Sequence, residues 1–376
     1  MADRPPRRTL HCRIHSGRVR LMVRRPSFAA AMPTAEKRVE AKSVSSGSIR
    51  SVEITAPGRA EVLTRPRPQG RPADGHVRVR MLAVGICGTD LSLASGSRTP
   101  PELPWRLGHE GVGEITEVGS GAEGWAIGDR VALEPNITCG RCEYCLRGMT
   151  SACVSRLSAG VLTQPGFLAE VVDHPSGFCH RVPAGIPVER AVCAEPLAVA
   201  AAAIRRTELH GGEDVLIIGA GAQGLLAILV LVDLGYRPWV SEPDETRLRL
   251  AVELGARAFV PSAGPAPQVV IDAAGVSKGL AAVVDQLSPF AKVTIVGEDQ
   301  DRLGASSFDI VQRQLSIRGS FIYEHPNDMA TAVAMLNELP SEGIVGPGLS
   351  LNDLPEFFAR RRASRPGVKQ WVDLQA

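Results

Sequence analysis

Aromatic residues are few, at 4% of the 376 residues, so the chain does not suggest an aromatic-lined pocket for a bulky apolar substrate. It also lacks a long unbroken hydrophobic run. The most apolar stretch, Val215 to Gly235, is interrupted by Gly219, Gly221 and Gly224 and carries Asp233. A membrane-spanning helix needs about 20 consecutive apolar residues, which this stretch does not supply. Charge of either sign is not in excess, with a formal net charge of +2. Even that is uneven, because residues 1–31 hold eight arginines and one acid, Asp3, leaving 34 basic and 39 acidic residues beyond. A slightly acidic body offers no broad cationic face to nucleic acid, so any such binding would have to come from the tail.

With 44% hydrophobic residues, a chain of this length can bury a large core and usually divides into two or more domains. Residues 1–47, rich in Arg, Ser, Pro and Ala without a sustained apolar period, read as a disordered extension. Such a start fits an organelle transit peptide, or a start codon assigned upstream of Met32. Residues 48–197 read as short strands and Gly/Pro turns, as in the alternation of Val77, Val79 and Met81, and predict a mostly β domain. Residues 198–323 alternate strands with helices. A strand over 214–219 is followed by a glycine turn, a helix over 225–234 and a second strand over 238–242, the pattern of a parallel α/β sheet. Further strands are predicted at 269–272, 292–296 and 315–319, with a helix from Arg247 to Leu254. Residues 324–376 are too few for a domain, and are expected to rejoin the first one through a helix near Met329 to Leu339 and a strand near Val368 to Leu374.

Gly219-Ala-Gly221-Ala-Gln-Gly224 fits G-x-G-x-x-G between a strand and a helix. The first glycine permits the tight turn, the second lets backbone approach a pyrophosphate, and the third allows close helix packing. Glu242, eighteen residues after the last glycine at the end of the next strand, can accept from both ribose hydroxyls and repels a 2′-phosphate, favouring NAD over NADP. Arg247 could reach the ribose or diphosphate, or face solvent from its helix.

Of eight cysteines, four fall within fifteen residues: Cys139-Gly-Arg-Cys142-Glu-Tyr-Cys145 and then Cys153. Four thiolates so close suit a closed, tetrahedral structural zinc site in a reducing compartment rather than a disulfide framework. Three further sets of donors are separated in sequence: Cys87 in Gly85-Ile-Cys87-Gly-Thr89-Asp90, His109 and Glu110 in Gly108-His-Glu-Gly111, and Glu195 in Cys193-Ala-Glu195-Pro-Leu. Each alone is a weak signal.

Taken in order, these motifs from about Ile49 to Leu374 resemble the zinc-containing medium-chain dehydrogenases, nearest the sorbitol and threonine dehydrogenase branch. The resemblance implies a GroES-like catalytic domain, a Rossmann cofactor domain, two zinc ions per chain, and hydride exchange between an alcohol and NAD. It assigns catalytic zinc binding to Cys87 and His109, and the structural lobe to Cys139, Cys142, Cys145 and Cys153. Glu195 matches the polyol branch's replacement for a third cysteine ligand, and Glu110 and Glu195 could exchange roles as direct or outer ligand. Thr89 resembles the hydroxyl that passes the alcohol proton outward, and Asp90 the carboxylate that orients the zinc-binding histidine.

The chain departs from that pattern at Ser92, where classical members place a histidine, and at Ile322-Tyr323, where sorbitol-type enzymes carry Arg-Tyr. The second difference points away from sorbitol itself towards another secondary alcohol: a polyol, cyclitol, amino alcohol or sugar derivative. The expected partner is a small alcohol or ketone, with no membrane and no nucleic acid, in a cytoplasmic homo-oligomer, a tetramer ahead of a dimer. The rival reading is a non-catalytic nucleotide-binding or structural descendant of the same fold.

Overall fold

The computed structural model describes residues 47–298, 302–337, 343–360 and 368–376. The extension expected at the N-terminus lies outside these apart from Gly47, as does the end of the helix expected to reach Leu339. The long strand His76–Ile86 organises the first half of the chain, and all but two of its eleven residues are buried. It lies in a seven-stranded sheet whose order runs Cys179–Arg181, Arg130–Leu133, Glu110–Val118, His76–Ile86, Gln370–Asp373, Leu349–Ser350, with Val171–Pro175 also pairing to His76–Ile86. A three-stranded sheet of Arg59–Pro66, Ser48–Ala56 and Trp105–Arg106 stands beside it. Val52, Val79, Met81, Leu107, Ile115 and Leu168 fill the core shared by these strands, where burial of each large apolar side chain stabilises by roughly 1.5–3 kcal/mol.

A second sheet has six strands, all parallel, in the order Arg257–Ala258, Trp239–Ser241, Val215–Ile218, Val269–Asp272, Lys292–Ile295, Ser316–Gly319. The order reverses at Val215–Ile218, and in open α/β sheets ligands bind in the crevice that this reversal opens. The helix after that strand, Ala222–Asp233, starts three residues before the apolar period that predicts it, because its first turn carries no large apolar side chain and sits half-exposed at the crevice. Leu225 to Leu231 behind it are buried.

The chain then returns. Helix Asn327–Met335 packs on helix Ala194–Thr207, with Arg205 Nη2 2.7 Å from Asp328 Oδ2, and strand Gln370–Asp373 pairs antiparallel with His76–Ile86. Among the described residues no helix is long and apolar enough to cross a membrane.

Candidate active site and metal centres

Strand register brings the first cluster together. Gly85 stands opposite Glu110, so Cys87, two residues past Gly85, and His109, one residue before Glu110, leave the sheet at the same end. The ligand atoms of Cys87, His109 and Glu110 lie within 4.8 Å of one another. A Cβ at position 85 would stand 2.0 Å from Glu110 Oε2, so any larger residue there would push the Glu110 carboxylate aside.

Asp90, in the first turn of helix Gly88–Ser95 and fully buried, ties both ligand-bearing segments. Its carboxylate accepts the Cys87 N–H at 2.9 Å and the Gly108 N–H at 3.0 Å, and Oδ1 lies 3.5 Å from His109 Nδ1. Burial works against charge on Asp90, but His109 and the two N–H donors override it and lower its pKa. Burial likewise opposes a charged His109, and Asp90 and Cys87 override it, holding the pKa well above the usual range.

Lys369, 2% exposed, forms an ion pair with Glu110 Oε2 and donates to the Ile86 carbonyl at 3.1 Å. Glu110 Oε1 is buried and has no hydrogen-bond partner. A buried carboxylate oxygen left over beside a thiol and an imidazole is a donor set that suits zinc. Nothing local in the sequence around Lys369 marks it; pairing of the last strand with His76–Ile86 brings it in.

Glu195, in the first turn of helix Ala194–Thr207, is 7% exposed and lies outside the 4.8 Å group, though within its field. Burial pushes its pKa up to about 7, with His109 and Lys369 opposing and Glu110 and Glu134 adding to the rise. Thr89 sits half-buried between Cys87 and Asp90. The Ser92 hydroxyl donates to the Gly88 carbonyl at 3.0 Å. Tyr323 is buried and its hydroxyl accepts from Asn136 Nδ2 at 3.1 Å. The preceding Ile322 has φ +40°, a left-handed conformation costly for a β-branched residue. Arg206 holds it there, donating to Ser320 Oγ, the Phe321 carbonyl and the Ile322 carbonyl at 2.9–3.0 Å.

The sulfur atoms of Cys139, Cys142, Cys145 and Cys153 form a second group within 4.8 Å, with 3.6 Å from Cys153 to Cys139 and 4.0 Å from Cys139 to Cys145. These separations exceed an S–S bond of about 2 Å, and all four are free thiols. The Cys145 N–H lowers the Cys142 pKa to about 6, while burial raises Cys145 to about 12. A cluster already inclined to carry one thiolate is suited to give up its other protons to a divalent cation.

At the crevice, Gly219 has φ +89°, and a Cβ on Gly224 would stand 1.9 Å from the Gly219 carbonyl oxygen, so both positions require glycine. The turn leaves an open helix N-terminus suited to a pyrophosphate. Glu242 Oε2 accepts the Ala220 N–H at 2.7 Å, and Oε1 accepts the Asp244 N–H at 2.9 Å and Arg247 Nη2 at 2.7 Å. Arg247 therefore braces Glu242, a third arrangement beside the two open from sequence.

A nucleotide cradle at a sheet reversal and a thiol–imidazole–carboxylate cluster are what a metal-dependent, nicotinamide-linked dehydrogenase needs. Residues 73–184 match the alcohol dehydrogenase GroES-like domain, and residues 222–338 match the zinc-binding dehydrogenase family. A sorbitol dehydrogenase of Arabidopsis thaliana is 32% identical over 66% of this chain and 74% of its own length. An Escherichia coli alcohol dehydrogenase solved with NADH has a TM-score of 0.79 at 26% identity, covering 88% of this chain and 100% of that one. A Sinorhizobium meliloti zinc-binding dehydrogenase bound to NADP has a TM-score of 0.79 at 29% identity, covering 87% and 100%. The chain belongs to the zinc-type medium-chain dehydrogenases, in their sorbitol-like branch, with a GroES-like and a Rossmann unit. It is an oxidoreductase of CH–OH donors that uses zinc and a nicotinamide dinucleotide.

Proposed function

We propose that this enzyme oxidises a secondary alcohol, of a polyol, cyclitol, amino alcohol or sugar derivative, with NAD, at a zinc held by Cys87, His109 and a carboxylate from Glu110 or Glu195. The observation that carries the reading is the convergence of the Cys87, His109 and Glu110 donors within 4.8 Å at one end of the sheet. Bound there, zinc would acidify the alcohol hydroxyl, and NAD would accept the hydride.

The chain's own residues supply orientation and charge. Asp90 positions the Cys87 and His109 segments through two backbone N–H bonds. Lys369 balances Glu110. Thr89 takes the alcohol proton and passes it outward, and with Ser92 where classical members have histidine, the path to solvent runs through water. Cys139, Cys142, Cys145 and Cys153 would hold the second, structural zinc.

Glu242 favours NAD because its carboxylate, fixed by Ala220 and Arg247, repels a 2′-phosphate. Ile322 supplies no charged donor where sorbitol-type enzymes have arginine, so a substrate needing that donor would lose up to about 3 kcal/mol of binding. The exposed edge strand Ser316–Gly319, preceded by exposed Phe308 and Val311, supports a homo-oligomer, a tetramer ahead of a dimer, and the reducing cytoplasm is the expected compartment. The domain limits that follow are 48–197, 198–323 and a returning segment 324–376.

The test follows NAD reduction by zinc-loaded enzyme across those four alcohol classes, with Cys87→Ala as control. Reduction by one class, abolished in the control, is expected. Activity retained in Cys87→Ala would overturn the site, and silence across all four classes would overturn the substrate range.

A further inference from the structure

A third cluster of donors shares no residue with either site described above. Glu134 follows strand Arg130–Leu133, and His180 lies on strand Cys179–Arg181, which pairs with it. His325 comes from the segment after Ser316–Gly319, the last strand of the parallel sheet. His180 Nε2 and His325 Nδ1 each stand 2.8 Å from Glu134 Oε2, and the three ligand atoms fall within 4.8 Å of one another.

The cluster is built and held in place. Glu134 donates its N–H to the Phe178 carbonyl at 2.8 Å, and its carbonyl lies 3.1 Å from His174 Nε2. The Phe178 ring stacks on His325 with centroids 4.3 Å apart, and the His325 N–H donates to Thr150 Oγ1 at 2.7 Å. The Glu134 side chain is fully buried, yet its Oε1 has no hydrogen-bond partner. Buried polar atoms are rarely left so, and with both imidazoles bonded to the other oxygen, Oε2, the second oxygen is left to take a cation. The His325 side chain is 21% exposed, which leaves a way in from solvent.

The geometry points to a third metal site, in which Glu134, His180 and His325 bind a divalent first-row ion such as Zn2+. Two nitrogens and one carboxylate oxygen are the donor set such ions share. Ligand atoms on one zinc at about 2.0–2.2 Å lie roughly 3 Å apart, so these side chains need only a small adjustment. A bound ion would be held by neutral imidazoles, each offering the lone pair of the nitrogen that now faces Glu134 and keeping its N–H on the other ring nitrogen. Because Glu134 and His180 stand at one edge of the first sheet and His325 in the segment that leaves the parallel sheet, the ion ties the GroES-like unit to the returning segment.

The substitutions that separate ligation from hydrogen bonding are His180→Gln and His325→Asn, whose amide nitrogens stand close to Nε2 and Nδ1 and still donate to Glu134. Zinc bound per chain is counted by equilibrium dialysis of the full-length enzyme, wild type and variants together. Three ions are expected in the wild type, two in each variant and two in Cys87→Ser, whose loss falls at the other site. Added zinc should also raise the thermal midpoint of Cys87→Ser more than that of the Cys87→Ser/His180→Gln double variant. Equal zinc content in the wild type and His180→Gln overturns the proposal, whatever Cys87→Ser shows.

Discussion

Lys369 and Glu110 show how closely the site depends on single charges. Both are buried, they pair with each other, and each would be costly alone, because an unpaired buried charge keeps its desolvation penalty with nothing to offset it. Burial opposes the charge on Lys369, yet Glu110 and Cys87 hold its pKa above the usual value. Lys369→Met should therefore destabilise the fold by about 3–5 kcal/mol, and Glu110→Gln/Lys369→Met should recover much of that loss. Urea unfolding of the two single variants and the double variant closes the cycle, and simple additivity would deny the coupling. At this scale Cys87, His109, Glu110 and the four clustered cysteines could be read in the sequence, because each lies in a short motif whose spacing carries its chemistry. Lys369 could not, since Gly367-Val-Lys369 resembles any strand entry and its partner is 259 residues away. Glu134, His180 and His325 were invisible for the same reason: three separate segments meet only in the folded sheets.

Elements with strong local periodicity were readable, and those made by distant pairing were not. The buried run Val215–Ile218 and the glycine turn after it are set by local sequence, so strand, turn and helix fall where the pattern puts them within a few residues. Trp105–Arg106 and Leu349–Ser350 are two-residue strands, too short for alternation to mark, and exist because longer partners recruit them. Strand Val171–Pro175 carries a pH-dependent term of its own. It buries His174, and burial lowers that imidazole's pKa from 6.5 to about 4. Above pH 6.5 neither folded nor unfolded chain protonates this ring, and the stability is intact. Below it the unfolded chain takes up a proton that the folded chain refuses, so stability is lost as the pH falls from 6.5 towards 4. Between about pH 7.5 and about pH 5 the wild type should lose roughly 2 kcal/mol more than His174→Gln, measured by urea unfolding. Parallel losses in the two proteins would show that His174 is not the group responsible.

For the whole molecule, the question is how two sheets, joined by an apolar core that takes in Ala83, Val112 and Ala132 of the first and Val215 and Ile217 of the second, present one site. The catalytic cluster leaves the first sheet where Gly85 faces Glu110, and the nucleotide cradle opens at the reversal of the second. Helix Ala194–Thr207 connects them, carrying Glu195 at its start and Arg205 and Arg206 in its last turn. Those arginines grip Asp328 and Glu324, and Glu324 also accepts from Thr150 Oγ1 and Ser151 N in the cysteine lobe. The cysteine lobe, the connecting helix and the segment after Tyr323 are thus tied to one another through Glu324 and Asp328. The two-unit architecture was legible because each unit has its own periodicity, β alternation first and βαβ units after. Their junction was not, because it rests on side chains that no motif announces. Cys87 and His109, with a neighbouring carboxylate, are the proposed ligands of the catalytic zinc. X-ray diffraction at the zinc edge from zinc-loaded crystals tests this directly. An anomalous peak is expected between Cys87 Sγ and the His109 ring, and another among Cys139, Cys142, Cys145 and Cys153. A peak at the four cysteines with none beside Cys87 would contradict the assignment.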